Sequence, residues 1–369
     1  MYKVLVFGMT ENPGGVESFL LNYYRHIDRK KIQFDFLNNS YERVAYEDKL
    51  IAMGGKTYYI TARSQNPSKY KEELENFFAN NAQKYNAIWV NVCSLANIDY
   101  LKMAKKYNIK RRIIHSHNSQ NMDSKLRAIL HYVNKRLLSK YATDFWACSE
   151  EAARWFYNGK LLKQAIIVHN AIDISAMEFK RDERDEKRTI LGWNDKYIIG
   201  NIGRLHFQKN QMFAIDIFKE LIKKEPNARL VFIGQGEDEE KLKSRVRSEG
   251  LDEYIRFAGL QYDISAWLSA MDLFLFPSAF EGLPIAPLEA QSNGVMILAS
   301  TNAIPKEAVL NGNVRLEQLE SSAASWCEDI LDMKKNSYRE GKSQIKENFV
   351  TNGYDIETEV KKIEQLFLR

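Results

Sequence analysis

Cysteine is scarce in this chain of 369 residues, and the three present, Cys93, Cys148 and Cys327, stand far apart with no C-x-x-C pair. An odd, sparse set argues against a disulfide framework or a zinc site and for a reducing compartment, so a cytoplasmic location is expected. No stretch approaches the roughly 20 apolar residues of a membrane span. The opening run Met1-Tyr-Lys-Val-Leu-Val-Phe7 is too short for a signal peptide and reads as a core strand. There is no D-x-D triplet and no histidine–carboxylate cluster with metal-ligand spacing, so no metal site is expected. The dinucleotide fingerprint is also missing, since Gly8 and Gly14-Gly15 do not fit G-x-G-x-x-G. That argues against a nicotinamide oxidoreductase.

What is present is ordinary in bulk and uneven in distribution. Hydrophobic residues at 45% and charged residues at 27% suit a globular chain, long enough for two or three domains with buried cores. The net charge of +5 conceals an asymmetry. Residues 1–180 hold 27 Lys+Arg against 17 Asp+Glu, and the remainder 26 against 31. A basic first half beside an acidic second suggests that one domain meets an anionic surface or substrate.

Short apolar runs alternate with helical periodicity, which predicts parallel sheets covered on both faces. Lys3–Phe7 reads as a strand, Gly8–Gly15 as a loop, and a helix begins at Val16. A glycine pair just before a helix allows a phosphate to approach the backbone, although an ordinary turn is the commoner reading. A helix at Lys69–Asn80, a strand at Ala87–Val92, a helix at Leu101–Tyr107 and a strand at Arg112–His115 follow. Ser116-His117-Asn118 then sits at the carboxyl end of the fourth strand. Lys102, Lys105, Lys106, Lys110, Arg111 and Arg112 form a basic cluster. The helix expected at Ser124–Lys140 carries Leu126, Ile129, Leu130, Val133 and Leu137 on one stripe, read here as a core stripe beneath a solvated basic face. The rival reading is contact with anionic lipid head groups or a lipid-linked diphosphate. Lys180–Arg188 is a dense charged run that reads as an exposed linker. A second domain follows from about Lys196, with a strand at Tyr197–Ile202, and a last amphipathic helix spans Glu357–Phe367.

The stretch Phe276–Ala290 is the most informative. An apolar run ending at Phe276 reads as a buried strand, Gly282 and Pro284 as a turn, and Pro287 and Glu289 as the first turn of a new helix. Glu281 stands in the loop. Such a unit places its loop at the carboxyl edge of a parallel sheet, where open α/β folds bind ligands. Two carboxylates can accept the hydroxyls of a diol, and the free amides of a helix start favour an anion. Diol plus anion describes a sugar nucleotide. Arg204 and Lys209, in the loop after the second domain's first strand, can neutralise a diphosphate without a divalent ion. Taken singly, each of these charges is more simply read as solvated.

In combination the motifs resemble glycosyltransferase family 4, the retaining sugar-nucleotide transferases of the GT-B fold, and most of all its bacterial capsular and extracellular polysaccharide enzymes. The matching residues are Gly14-Gly15-Val16-Glu17, Ser116-His117-Asn118, Asn170-Ala-Ile-Asp173, Gly203-Arg204-Leu with Lys209-Asn210, Gly234-Gln-Gly236, and Phe280-Glu281-Gly282-Leu-Pro with Glu289-Ala290. The resemblance implies two Rossmann-like α/β/α domains with parallel sheets facing an interdomain cleft: 1–180 for the acceptor, 196–345 for the nucleotide sugar. A C-terminal helix within 350–369 would pack back on the first domain. It further implies that Arg204 and Lys209 hold the donor diphosphate, Glu289 the ribose hydroxyls and Glu281 a hydroxyl of the transferred sugar. Backbone at Gly14-Gly15 and around Gly282, Leu283 and Pro284 would meet phosphate or sugar oxygens. His117 and Asn170 would reach the site from the first domain, and the base, uracil by preference, would lie near Gly234 and Arg256–Phe257. Asn170-Ala in place of the commoner Asn-Gly, and Leu283-Pro284-Ile285 in place of a Phe-Gly-type loop, leave the identity of sugar and nucleotide open.

The expected activity is therefore transfer of a hexosyl or N-acetylhexosaminyl group from a UDP-sugar to a lipid-linked saccharide, with no cofactor, metal or nucleic acid. Peripheral contact with an anionic membrane through the basic first domain is part of the same expectation. Two alternatives are a sugar-nucleotide 2-epimerase of the same architecture and a non-catalytic sugar-nucleotide-binding subunit.

Overall fold

Strands form in this chain where mainly apolar stretches of two to seven residues are bounded by turns, and in the computed structural model, which describes residues 1–119 and 124–369, they build two sheets. The first runs β3-β2-β1-β4-β5-β6-β7. Its strands are β1 (Tyr2–Phe7), β2 (Ile32–Asn38), β3 (Thr57–Tyr59), β4 (Ala87–Val92), β5 (Arg111–Ser116), β6 (Asp144–Ala147) and β7 (Ile166–Ile167). The second runs β10-β9-β8-β11-β12-β13. It comprises β8 (Tyr197–Ile202), β9 (Ala228–Ile233), β10 (Ile255–Phe257), β11 (Leu273–Phe276), β12 (Met296–Ser300) and β13 (Val314–Glu317). All pairings within both sheets are parallel. Parallel strands covered by helices are buried on both faces, which is why Leu273-Phe274-Leu275-Phe276 is apolar without alternation. This is the GT-B class of α/β fold.

The chain divides into two units: Met1–Ala171 together with Ile356–Arg369, and Ile172–Asp355. In the first, the helix Ile356–Leu368 lays Phe367 against Trp89, Trp146 and Phe34, with ring centroids 5.4–5.8 Å apart. In the second, helices Gln211–Lys224 and Ala323–Lys335 place Phe218, Leu221 and Trp326 in one core with Leu230, Phe232 and Leu275.

Several expectations need correction. His117 follows the fifth strand, not the fourth, because β2 and β3 precede it. In β2, Asp35 interrupts the apolar run yet is buried, accepting from Tyr85 Oη and Lys56 N at 3.0 Å each. The charged run expected as a linker is the helix Arg181–Leu191 of the second unit. It is held by Arg184 and Arg188, whose guanidiniums straddle the two oxygens of Asp272 at 2.6 and 2.5 Å. Between the second sheet's β12 and the last helix the chain folds as β13 and the helices Ala323–Lys335 and Lys342–Asn352.

The largest correction concerns the Leu126 stripe. The helix Lys125–Lys135 turns that stripe to solvent, with Leu126 66%, Ile129 61% and Val133 49% exposed. The basic cluster before it is largely tied down, with Lys102 on Asp99, Lys106 on Glu75 and Arg111 on Asp144.

Candidate functional site

In the second sheet β8 has β9 on one side and β11 on the other, so chain order reverses between β8 and β11. Loops leaving the carboxyl ends of these two strands must diverge, opening the crevice in which such sheets bind ligands. Lys209 comes from the loop after β8 and Glu281 from the loop after β11. They meet across the switch point, Nζ to Oε1 at 2.7 Å, with side chains 19% and 8% exposed. Gln208 fastens the same loops, donating through Nε2 to Phe280 O at 2.8 Å and to Glu281 Oε2 at 3.3 Å. Ala279 N donates to Gln208 O at 2.8 Å. Lys209 Nζ also stands 5.0 Å from the Phe276 ring centroid.

Arg204, in the same loop as Lys209, points to Glu237 in the loop after β9, Nε to Oε2 at 3.1 Å, while His206 Nε2 lies 3.3 Å from the other oxygen of Glu237. Both partners of the Arg204 pair are well exposed, so the pair contributes little and the guanidinium can turn to another anion at small cost. The loops are pressed together at their bases. A Cβ on Gly234 would come within 2.1 Å of Gly203 O, and one on Gly236 within 2.1 Å of Leu205 O. Gly234 also has φ +130°, so this turn requires glycine twice over.

The helix after the Glu281 loop spans Ile285–Asn293 with Pro284 at its N-cap. It starts two residues earlier than Pro287 suggested, because Pro287 lacks only an amide that the first turn leaves unpaired anyway. Glu289 is consequently in the second helical turn, not the first. Gly282, Leu283 and Pro284 are buried beneath the loop. Glu289 makes no hydrogen bond or ion pair among the described residues, and burial pushes its carboxyl up to about 7. Part of the side chain stays accessible, so the oxygens can be reached from outside. A half-buried acceptor left without a donor is what a diol-binding carboxylate looks like before its ligand arrives.

Arg256 is exposed on β10 with its guanidinium 5.7 Å from the Trp193 ring, and Phe257 stacks on Phe232 at 5.3 Å. A cavity of about 620 Å³ lies elsewhere in this unit, lined by Arg184, Arg188, Tyr197, Asp272 and Arg339 among others. Its guanidiniums are already spent on Asp272 and backbone carbonyls, so we assign it to the scaffold.

In the first sheet the order reverses between β1 and β4. The loop after β1 leads into the helix Gly15–His26, with Gly14 as its N-cap. The space beside that helix start is taken by Glu17: a Cβ on Gly14 would lie 2.8 Å from Glu17 Oε2. Thr10 donates to Glu17 Oε1 from its amide at 3.0 Å and its hydroxyl at 2.7 Å. Burial pushes the Glu17 carboxyl up to about 7. The Gly14-Gly15 turn thus has an acid folded over it, a setting better suited to a neutral sugar hydroxyl than to a phosphate.

His117 leaves β5 and directs Nε2 to Asn91 Oδ1 at 2.9 Å. The Asn91 amide nitrogen faces Trp89 O at 3.2 Å and Phe7 O at 3.4 Å, so its oxygen must face the imidazole. His117 Nε2 therefore carries the proton and Nδ1 is the bare acceptor. Burial against Phe19 and His115 pushes its pKa down to about 3 and keeps the ring neutral. Asn170 is buried at the end of the same unit.

Sequence reasoning gave no role to Asn91, Gln208 or Glu237, and named Glu17 only within the Gly14-Gly15-Val16-Glu17 motif. Glu17 had a signal, an acid at the third helical position after a glycine pair. The others act through contacts between loops distant in the chain, which spacing does not reveal.

Comparison with known proteins follows this geometry. Residues 183–354 match the family model of glycosyl transferases group 1. The chain is 27% identical over 358 residues to EpsF of Bacillus subtilis, named as a glycosyltransferase, covering 95% of this chain and 92% of that protein. It is 24% identical over 348 residues to the capsular polysaccharide biosynthesis glycosyltransferase CapH of Staphylococcus aureus, covering 91% and 92%. The crystal structure of Anabaena HepE in complex with UDP-glucose superposes with a TM-score of 0.80 at 18% identity, covering all of both chains, a likeness of fold.

Proposed function

We infer, from the match of residues 183–354 to glycosyl transferases group 1, that this protein is a retaining glycosyltransferase of polysaccharide biosynthesis. It moves a hexosyl or N-acetylhexosaminyl group from a UDP-sugar to a lipid-linked saccharide, working as a peripheral protein on the inner face of a membrane. The observation that carries the reading is the meeting of Lys209 and Glu281 across the β8/β11 switch point, with Arg204 in one of the two loops and the unpartnered Glu289 in the helix that follows the other. The names of EpsF and CapH and the UDP-glucose of HepE support the substrate class.

In this reading Arg204 leaves Glu237 and Lys209 shares its charge with the donor diphosphate, so that the departing phosphate is stabilised by fixed cations. Glu289 accepts the ribose hydroxyls, and Glu281, held by Lys209 and Gln208, accepts from the transferred sugar. Within the first unit, His117 Nδ1 offers an acceptor for a sugar hydroxyl. No carboxylate here is assigned as nucleophile or general base; donor phosphate takes the acceptor proton in a front-face attack. Removing one cation costs about 2.7–4 kcal/mol of barrier, by the measure of a lost oxyanion donor.

A thermal-shift screen over UDP- and GDP-sugars tests the reading. Stabilisation by a UDP-sugar that Arg204→Ala abolishes is expected, with the donor chemically unchanged when incubated alone. Stabilisation that survives Arg204→Ala, or a donor epimerised without acceptor, would overturn it.

A further inference from the structure

The helix Lys125–Lys135 is mounted with its polar side inward. At 3.6 residues per turn, His131, Asn134 and Lys135 fall on one side and Leu126, Ile129 and Val133 on the other. The polar side is the one that docks on the protein. His131 Nδ1 accepts from Leu95 N at 3.1 Å and its ring is stacked on Trp155, Asn134 donates to Leu95 O at 2.6 Å, and Lys135 Nζ donates to Trp155 O at 2.7 Å. The apolar side is left in solvent, Leu126, Ile129 and Val133 joined there by Tyr132 at 57% exposed. A helix that buries hydrogen-bonded polar groups and presents aliphatic ones outward reverses the usual arrangement, and such an apolar patch marks an interaction surface. Its border names the partner. Lys125, Arg127 and Arg136 are exposed beside the stripe with no acidic residue in 124–143, and residues 1–180 carry the chain's excess of positive charge. Aliphatic and aromatic side chains flanked by Lys and Arg match the boundary between acyl chains and anionic head groups.

We propose that this helix is the membrane-docking element of the protein, lying in the plane of an anionic bilayer with Leu126, Ile129, Tyr132 and Val133 inserted. The proposal rests on the peripheral-membrane reading above and deepens it by naming the surface. Docking there would hold the first unit where a lipid-linked acceptor is presented.

The test is co-sedimentation of the full chain with vesicles of phosphatidylcholine alone and with one-third phosphatidylglycerol. Wild type should pellet with the anionic vesicles and not with the neutral ones, and L126E/I129E should lose roughly tenfold or more in vesicle affinity. K125Q/R127Q should weaken binding less and flatten its dependence on salt. Both positions of the first variant are exposed, so its melting temperature and its UDP-sugar thermal shift should match wild type, which separates failure of this proposal from failure of the donor assignment. Undiminished pelleting of L126E/I129E would show that another surface binds lipid and overturn the proposal. Failure of wild type to pellet with either vesicle would overturn the membrane reading with it. A wild-type dimer that L126E/I129E converts to monomer would make the face a contact between copies and likewise overturn it.

Discussion

Glu289→Gln should make the protein more stable and less competent at once. The Glu289 carboxyl, ordinarily near 4.5, is pushed up to about 7 by burial with no compensating donor. At about 1.36 kcal/mol per pKa step, ionising it in the folded state costs about 3 kcal/mol. Partial solvent access reduces that to about 2 kcal/mol. The sign follows from proton counts. Between pH 4.5 and 7 the unfolded chain releases a proton that the folded chain keeps, so the wild type loses stability as pH rises through this window and carries the full penalty above pH 7. The amide never ionises. The variant should therefore melt higher than wild type at pH 8, by about 4–8 °C for a unit of this size, with a much smaller gap at pH 5. Calorimetry or urea titration at the two pH values reads the difference, and taking variant against wild type cancels the parallel titration of Glu17. The same substitution replaces an acceptor oxygen with a donor nitrogen, so the UDP-sugar thermal shift should shrink. A stability gap that does not change between pH 5 and pH 8, or a wild type more stable than the variant at pH 8, would refute the claim that Glu289 is a buried, uncompensated acid.

Lys209→Ala leaves Glu281 buried without its cation and should destabilise the second unit by about 3–5 kcal/mol. K209M/E281Q should recover most of that stability in urea melts while donor binding stays lost in both. Gly236→Ala drives a methyl into Leu205 O and should cost about 3 kcal/mol or more, read as a lower urea midpoint together with loss of the UDP-sugar shift. His117 is held neutral down to about pH 3, so below its ordinary value near 6.5 the unfolded chain takes up a proton that the folded chain refuses, and stability falls as pH drops. His117→Asn should flatten that decline between pH 7 and 5; an unchanged slope would show that His117 is not the group responsible.

How much of this was legible in the sequence depended on whether neighbours in the chain or neighbours in space decide the structure. β1, β4, β8 and β11 are short, mainly apolar runs, and their buried faces announce themselves. The loop residues that follow them are legible too, because parallel topology puts those loops at one edge. Arg181–Leu191 misled because its first eight residues, Arg181 to Arg188, are all charged; what makes it a helix of the scaffold is Asp272, more than 80 residues away. Lys125–Lys135 misled in the opposite sense. Its periodicity was plain, but periodicity says that a helix has two sides and not which of them faces inward. Here Leu95 and Trp155 chose the polar one. The pairing of His117 with Asn91 depends on β4 and β5 lying side by side, which no local pattern records.

The return of the last helix to the first unit bears on how the polypeptide is made. Phe367 closes the space among Phe34, Trp89 and Trp146, residues synthesised long before it. Synthesis runs from the N-terminus, so Ile172–Asp355 can fold as a continuous segment once it emerges, while the earlier sheet waits with an aromatic hollow open until residue 367 clears the ribosome. A polypeptide cut short by a dozen residues would keep every side chain assigned to the donor and still leave that hollow bare, exposing to quality-control proteases the very part of the molecule translated first.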